Sequence, residues 1–310
     1  MDFGGINPVI LIATLMASAV PILLAALGET VVERAGVLNL GVEGMMVVGA
    51  LGGFVAAVAT GSPVLGFLGG IVAGALLSLV FALLTQVFLA NQVATGLALT
   101  LFGLGLSSLG GQGYNGIKPP ATGPLLPDAL ADLPVVGPIL FGHDWVVYFS
   151  IFMVAVIWWV LQSTRIGLII RAVGESHDAA HALGYKVNRI RLLCIAFGGA
   201  MAGVGGAYLS LVRVPQWVDG ITAGAGWIAL AIVVFASWKP GRVLIGAYLF
   251  GGITVLQLNL QVAGSVIPVE YLSMAPYLIT IIVLVIISAG KSGRANGAPA
   301  SLGQNFHASR

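Results

Sequence analysis

TRIGLIIRAVGESHDAAHALGYKVNRIR, residues Thr164–Arg191, is a charged stretch between two long apolar runs. The flanking segments Trp145–Leu161 and Leu192–Val212 carry no charged residue and have the length that a membrane-crossing helix needs, about 17–25 residues. Inside the charged stretch, Ser176 is placed to cap a helix and Asp178 to sit at the positive end of its dipole. Gly184 supplies a left-handed stop after Leu183. The predicted helix has about two turns, too short to hold in water alone. It therefore needs its flanking spans or a partner to support it, although a solvated basic loop between spans would read the same way locally.

Composition fixes the class. The chain has 310 residues, 58% of them hydrophobic and 8% charged, and a mean hydropathy of +1.04. A soluble domain of this make-up could not cover its surface with polar groups. The expected fold is all-α, a polytopic helical membrane protein with about nine transmembrane helices. The spans fall near Pro8–Leu27, Glu43–Ala59, Val64–Ala90, Val93–Leu109, Trp145–Leu161, Leu192–Val212, Ile221–Trp238, Val243–Ala263 and Tyr271–Ala289. They form one transmembrane domain over residues 1–310, with an inner loop at 164–191, an outer loop at 110–144 and an inner tail at 290–310.

Lysine and arginine set the orientation. With the amino terminus outside, Arg34, Arg165, Arg171, Lys186, Arg189, Arg191, Lys239, Arg242, Lys291, Arg294 and Arg310 fall inside, and only Lys118 and Arg213 fall outside. The carboxyl terminus is then cytoplasmic. The outer loop Gly110–Asp144 is rich in glycine and proline, which reads as a series of turns that meets something outside.

Other signals are weak. Ala17-Ser18-Ala19 resembles a signal-peptidase site, but no positive charge precedes it, so an uncleaved first span is expected. Ala289-Gly290-Lys291-Ser292 resembles the end of a phosphate loop, yet Val285 stands where the first glycine belongs. Cys194, the single cysteine, reads as a packing residue. His177 and His181 lack companions for a metal site, and no catalytic constellation or cofactor motif is present. The small-xxx-small spacings Gly49/Gly53, Gly66/Gly70/Gly74 and Gly199/Gly203 indicate close helix packing within the chain or at a subunit interface.

Two glycine-interrupted entries stand out, Gly36–Gly44 into the second span from inside and Gly220–Trp227 into the seventh from outside. Their opposed directions fit an inverted internal repeat in which broken helices bracket a central pathway. Near membrane depth lie Asn39, Glu43, Asn91, Gln92, Thr95, Gln257, Asn259 and Gln261. An intramembrane carboxylate such as Glu43 is a functional candidate, though it could instead cap its helix in headgroup water. Amide and hydroxyl groups with few charges suit a neutral polar solute. The pathway candidates are thus Asn39, Glu43, Asn91, Gln92, Thr95, Gln257 and Asn259.

ERAGVLNLGVEGMMVVGA (Glu33–Ala50), ANQVATGLALTL (Ala90–Leu101) and AVGESHDAAHALGYKVNRIR (Ala172–Arg191) together resemble the permease subunit of bacterial ABC importers, in the branched-chain amino acid and simple-sugar permease family. The nucleoside-type branch is the nearest in character. The likeness runs from about Leu15 to Ala289. It implies an inner-membrane translocating subunit for a nucleoside or, next, a simple sugar. Its partners would be a second permease, two cytoplasmic ATP-binding subunits and an extracytoplasmic solute-binding protein, with no nucleic acid. On this likeness Glu175–Gly184 is the coupling helix that enters a cleft of the ATPase. Glu175, Ser176, Asp178, Ala179, Ala180, Leu183 and Gly184 are its contact candidates, and Ala180 is expected on the small, partner-facing side. Glu175-Ser-His-Asp-Ala-Ala only approximates the Glu-Ala-Ala loop of other importers. An ion-driven secondary transporter would need a relay of buried carboxylates, for which Glu43 alone is a candidate; a membrane enzyme would need paired carboxylates or a histidine cluster.

Overall fold

The computed structural model describes residues 8–131, 133–262 and 297–307, together with isolated positions between 268 and 285. Its helices are α1 (Pro8–Arg34), α2 (Val42–Thr60), α3 (Pro63–Ala82), α4 (Gln92–Gly111), the short α5 (Asp128–Ala131), α6 (Trp145–Ser163), α7 (Arg165–Glu175), α8 (His177–Ala182), α9 (Val187–Tyr208), α10 (Ala225–Phe235) and α11 (Pro240–Val262). Among the described residues no strand is found, and seven helical segments are long and apolar enough to cross a membrane. The all-helical, polytopic expectation holds. The seventh expected span, Ile221–Trp238, is realised only as the 11-residue α10. The ninth, Tyr271–Ala289, falls mostly outside the described residues, as do the Ala289–Ser292 sequence and Lys291, Arg294 and Arg310.

α1 is the central post. From Ala19 to Glu33 its side chains are buried all round, the pattern of a helix with no solvent or lipid stripe. It packs along α9, α11 and α10, while α2, α3 and α9 form a second tight bundle beside it. That bundle is closed by glycine against glycine. A methyl group at Gly49 would collide with Gly203, one at Gly203 with the Gly70 carbonyl, and one at Gly206 with the Met46 carbonyl. Without a hydrophobic drive inside lipid, helices associate through close backbone approach of this kind. The small-residue spacings therefore report packing within the chain.

Arg34, Arg191, the α7–α8 segment and residues 297–307 gather on one face. We call it the basic face; the 112–144 segment lies at the opposite end of the helices. α4 starts at the basic face, and Gly44 in the first turn of α2 packs two to three turns along it, against Leu99, Thr100 and Gly103. That is about 10–16 Å into the protein. α2 therefore begins near mid-depth and runs away from the basic face. α10 begins at the same level, beside Glu43, and runs the other way to Trp238, whose carbonyl faces the Arg34 guanidinium at 3.4 Å. The non-helical approach to α10, residues 214–224, turns through Gly220, Ala223 and Gly224 at positive φ.

The glycine seam makes a direct prediction. Gly203→Ala places its methyl group against the Gly70 backbone, and such overpacking costs about 1–3 kcal/mol. Thermal unfolding in detergent should show a clear drop for Gly203→Ala and none for Gly105→Ala, where nothing lies within 4 Å of the added carbon. Equal melting of the two variants would contradict the seam.

Candidate functional site

The two glycine-interrupted entries meet. Glu43, in the first turn of α2, is 2% exposed and turns its carboxylate onto the start of α10. Oε1 accepts from Thr222 Oγ1 at 2.5 Å and from Gly224 N at 2.9 Å, and Oε2 accepts from Gly226 N at 2.6 Å. The first amides of a helix have no partner of their own, and a carboxylate there is favoured by the dipole as well as by the hydrogen bonds. Position 226 must be glycine, because a Cβ would lie 2.6 Å from the Glu43 backbone. Glu43 is thus held within the protein by three hydrogen bonds. It clasps the 19-residue α2 and the 11-residue α10, whose amino-terminal ends face each other.

The chain leading to this clasp, Val37–Gly41, is non-helical, with Val37, Asn39 and Gly41 buried and Leu38 and Leu40 half-buried, so its polar groups need partners inside the protein. Asn39 is buried; its Oδ1 accepts from Gly41 N at 3.0 Å and its Nδ2 faces Glu29 Oε2 at 3.4 Å. Gln92 Oε1 accepts from Leu38 N at 2.8 Å, and Thr100 Oγ1 donates to the Leu40 carbonyl at 3.1 Å. Asn39, Glu43 and Gln92 therefore belong to one assembly, which holds the re-entrant backbone.

The other pathway candidates lie apart from it. Asn91 is exposed and caps α4, its Oδ1 accepting from Ala94 N at 3.0 Å. Thr95 faces an apolar groove between α3 and α4 with Leu84, Leu99 and Phe102. Asn259 Nδ2 donates to the Val255 carbonyl of its own helix at 2.8 Å. Gln257 borders a cavity of about 340 Å³ beside the clasp, with Ser18, Thr222, Thr254, Tyr277 and Arg213. A cavity of a few hundred Å³ with scattered hydroxyl and amide groups is of the size that takes a small solute.

Sequence reasoning missed two buried carboxylates. Glu29 and Glu33 are one turn apart on α1, and each buries one oxygen without a protein partner. The second oxygen of Glu33 accepts from Trp238 Nε1 at 2.5 Å. Their i, i+4 spacing in an otherwise apolar helix was the available signal. Both lie beyond Leu27, outside the first expected span. Thr222 and Thr254 were missed because single hydroxyls in apolar segments are common.

On the basic face, Thr164 Oγ1 caps α7 by accepting from Gly167 N, and Ser176 Oγ caps α8 by accepting from Ala179 N at 3.3 Å. Gly184 closes the turn at positive φ. Asp178 and Leu183 project outward, 82% and 76% exposed, with Glu175, Ser176, Ala179 and Gly184 also exposed. Ala180 does not. It is 2% exposed and packs inward with Val173, Val187 and Phe306, so its expected position on the partner-facing side is corrected. His177 and Ala180 are three residues apart and share the inner face of α8. Burial and the nearby Arg191 guanidinium push the His177 pKa below its ordinary value, against the opposing pull of Asp178. Among the described residues no set of three or more His, Cys, Asp or Glu side chains is gathered to hold a metal.

Comparison with known proteins gives this arrangement a class. Residues 11–285 match the family model described as "Branched-chain amino acid transport system / permease component". A Haloferax volcanii protein, provisionally named the glucose ABC transporter permease protein TsgC13, is 44% identical over 88% of this chain and 89% of its own length. The guanosine ABC transporter permease protein NupQ of Bacillus subtilis is 34% identical over 96% of this chain and 98% of its own. The nucleoside ABC transporter permease protein NupC of Lactococcus lactis is 33% identical over 89% and 91%. The first two organisms each have a second, more distant relative, the permease proteins TsgB13 at 28% over 81% of this chain and 70% of its own length and NupP at 23% over 87% and 78%. The chain belongs to the branched-chain amino acid transport permease family and is an ABC transporter permease, a multi-pass membrane subunit.

The clasp makes the next prediction. Glu43→Gln sets an amide NH2 against hydrogen-bond donors and should cost about 1.5–3 kcal/mol, the scale of a charge-assisted hydrogen bond, whereas Thr222→Val removes one donor and should cost about 1 kcal/mol. Amide hydrogen exchange at residues 224–228 should rise in that order. No change in Glu43→Gln would mean the carboxylate does not hold α10.

Proposed function

We propose that this chain is the translocating permease of an ABC importer for a neutral polar solute, a nucleoside first and a simple sugar next. The observation that carries the reading is the junction of helix starts at Glu43, with the polar-edged cavity beside it, in a chain of this family. Hydroxyl and amide groups at Ser18, Thr222, Thr254 and Gln257, with the Tyr277 ring, match the mixed polar and flat apolar surface of a nucleoside. The guanosine, nucleoside and glucose permeases among the relatives support the same range of substrates.

The basic face is cytoplasmic on this reading, in keeping with the distribution of lysine and arginine. Two ATP-binding subunits dock there, and the outward surface of α8, led by Asp178, Ala179 and Leu183, enters their clefts. The ATPase chemistry belongs to those subunits; this chain performs none. A second permease completes the pathway, as the paired relatives in two organisms suggest, and a solute-binding protein delivers cargo to the opposite face. The full span 1–310 acts as one domain, with 164–191 as its coupling segment, 110–144 outside and 290–310 inside.

Three measurements test this. In a Cys194→Ala background, a cysteine at Asn115 should react with an impermeant thiol reagent in intact cells and one at Asp178 should not; the reverse would invert the topology. Leu183→Glu should release the ATPase subunits on purification, because a charge forced into a close-packed cleft has no partner. Retention of the ATPase with normal uptake would remove α8 from the interface. Gln257→Leu should leave the complex assembled and lower uptake of labelled guanosine at least about tenfold, the effect of about 1.4 kcal/mol; unchanged uptake would move the path away from this cavity.

A further inference from the structure

Residues 297–307 form no helix, yet they touch the ends of six. Gly297 lies against the Trp238 ring that follows α10. Ser301 N donates to the Gly174 carbonyl at 2.8 Å, and Ser301 Oγ faces the Glu175 carbonyl at 3.4 Å, both in the last turn of α7. Gly303 N donates to the Gly36 carbonyl just past α1. The Gln304 carbonyl accepts from the buried Arg191 of α9 at 2.8 Å. Asn305 Nδ2 donates to the Leu89 and Ala90 carbonyls before α4, at 2.6 and 3.2 Å, and its Oδ1 accepts from Gln92 Nε2 at 3.2 Å. Several of these acceptors are carbonyls at helix ends and in connecting turns, groups that a helical ladder leaves free.

Phe306 ends the sequence of contacts. It is buried, with its ring centroid 5.4 Å from that of His177 and 5.2 Å from that of His181, and it packs with Ala180 and Val187. A six-residue helix cannot maintain its own shape or direction. The inner face of α8 has few apolar groups, so the Phe306 ring supplies a large part of the surface it rests on.

We propose that residues 297–307 are a positioning strap for α8, with Phe306 as the wedge that sets its direction and Asn305 as the anchor that ties it to α4. The proposal rests on the reading of α8 as the ATPase contact. Gln92 is shared: its amide nitrogen reaches the strap while its oxygen accepts from Leu38 N, in the backbone that leads to Glu43. The strap therefore joins the inner face of α8 to the Glu43 junction through one side chain. Phe306 and Asn305 are positioning residues; neither lies at the cavity that holds the solute in this reading.

The test uses the complete transporter, both permeases with their ATPases, in nanodiscs and in liposomes. Phe306→Ala should speed amide exchange at residues 177–183 about tenfold, on the scale of one lost aromatic contact, with exchange in α2 and α9 unchanged. The ATPase should still co-purify, since the outward surface of α8 is intact, while solute taken up per ATP hydrolysed falls severalfold. Phe306→Leu should recover most of both. Asn305→Ala, at the other anchor, should act in the same direction and serves if Phe306→Ala fails to assemble. Unchanged exchange at 177–183 in the variants would overturn the strap, and loosened α8 with uptake per ATP unchanged would overturn its part in transport. The exchange readout does not depend on where the ATPase binds, so failure of the docking assignment, seen with Leu183→Glu, is distinguishable from failure of the strap.

Discussion

One carboxylate holds the centre of this protein together. Glu43 sits on the first turn of its own helix and accepts three hydrogen bonds from the start of another that runs the opposite way. Two helices that each begin near mid-depth leave unpaired amides where no water is available, a costly arrangement unless something inside the protein satisfies them. The re-entrant backbone at Val37–Gly41, the glycines at 41, 44, 224 and 226, and the side chains of Asn39, Gln92 and Thr100 all serve that requirement. Substituting any of them acts on the junction.

Much of this was legible in the amino-acid sequence. The apolar runs gave the polytopic class, and the opposed glycine-rich entries pointed to broken helices because glycine is needed where backbones approach closely. Ser176 and Gly184 marked both ends of α8 by local chemistry alone. What stayed hidden was tertiary. Glu43 could be seen as unusual, but its partners lie some 180 residues away in a segment without charge. Ala180 could be placed on α8 but not on a face of it, since a six-residue helix has too few apolar positions to show a period. The fixed course of residues 297–307 left no trace in composition, because its hydrogen bonds run through backbone groups and a single asparagine.

The glycine seam and the strap divide the labour. Glycine contacts among α2, α3 and α9 make a bundle with no room for local adjustment, so that it moves as a unit. α8 has the opposite character: it is short, largely exposed and dependent on neighbours for its direction. The groups that fix it are the chain into α7 with Val173, the Phe306 ring, the Arg191 guanidinium under the Gln304 carbonyl and the chain into α9. Rigid transmission needs both a stiff body and a stiff joint.

The electrostatics of the junction bear on what can pass. Each helix amino terminus presents about half a positive charge, and two of them converge here on a single carboxylate. Their sum is close to zero, so the site neither attracts nor repels charge strongly. Among the described groups that border the neighbouring cavity, only Arg213 is charged. A cation would find the carboxylate already occupied by three donors, and the amides that face it are not free to bind an anion. An uncharged solute rich in hydroxyl groups would pay the smallest desolvation penalty at the junction itself, which is the physical basis of the neutral cargo proposed above.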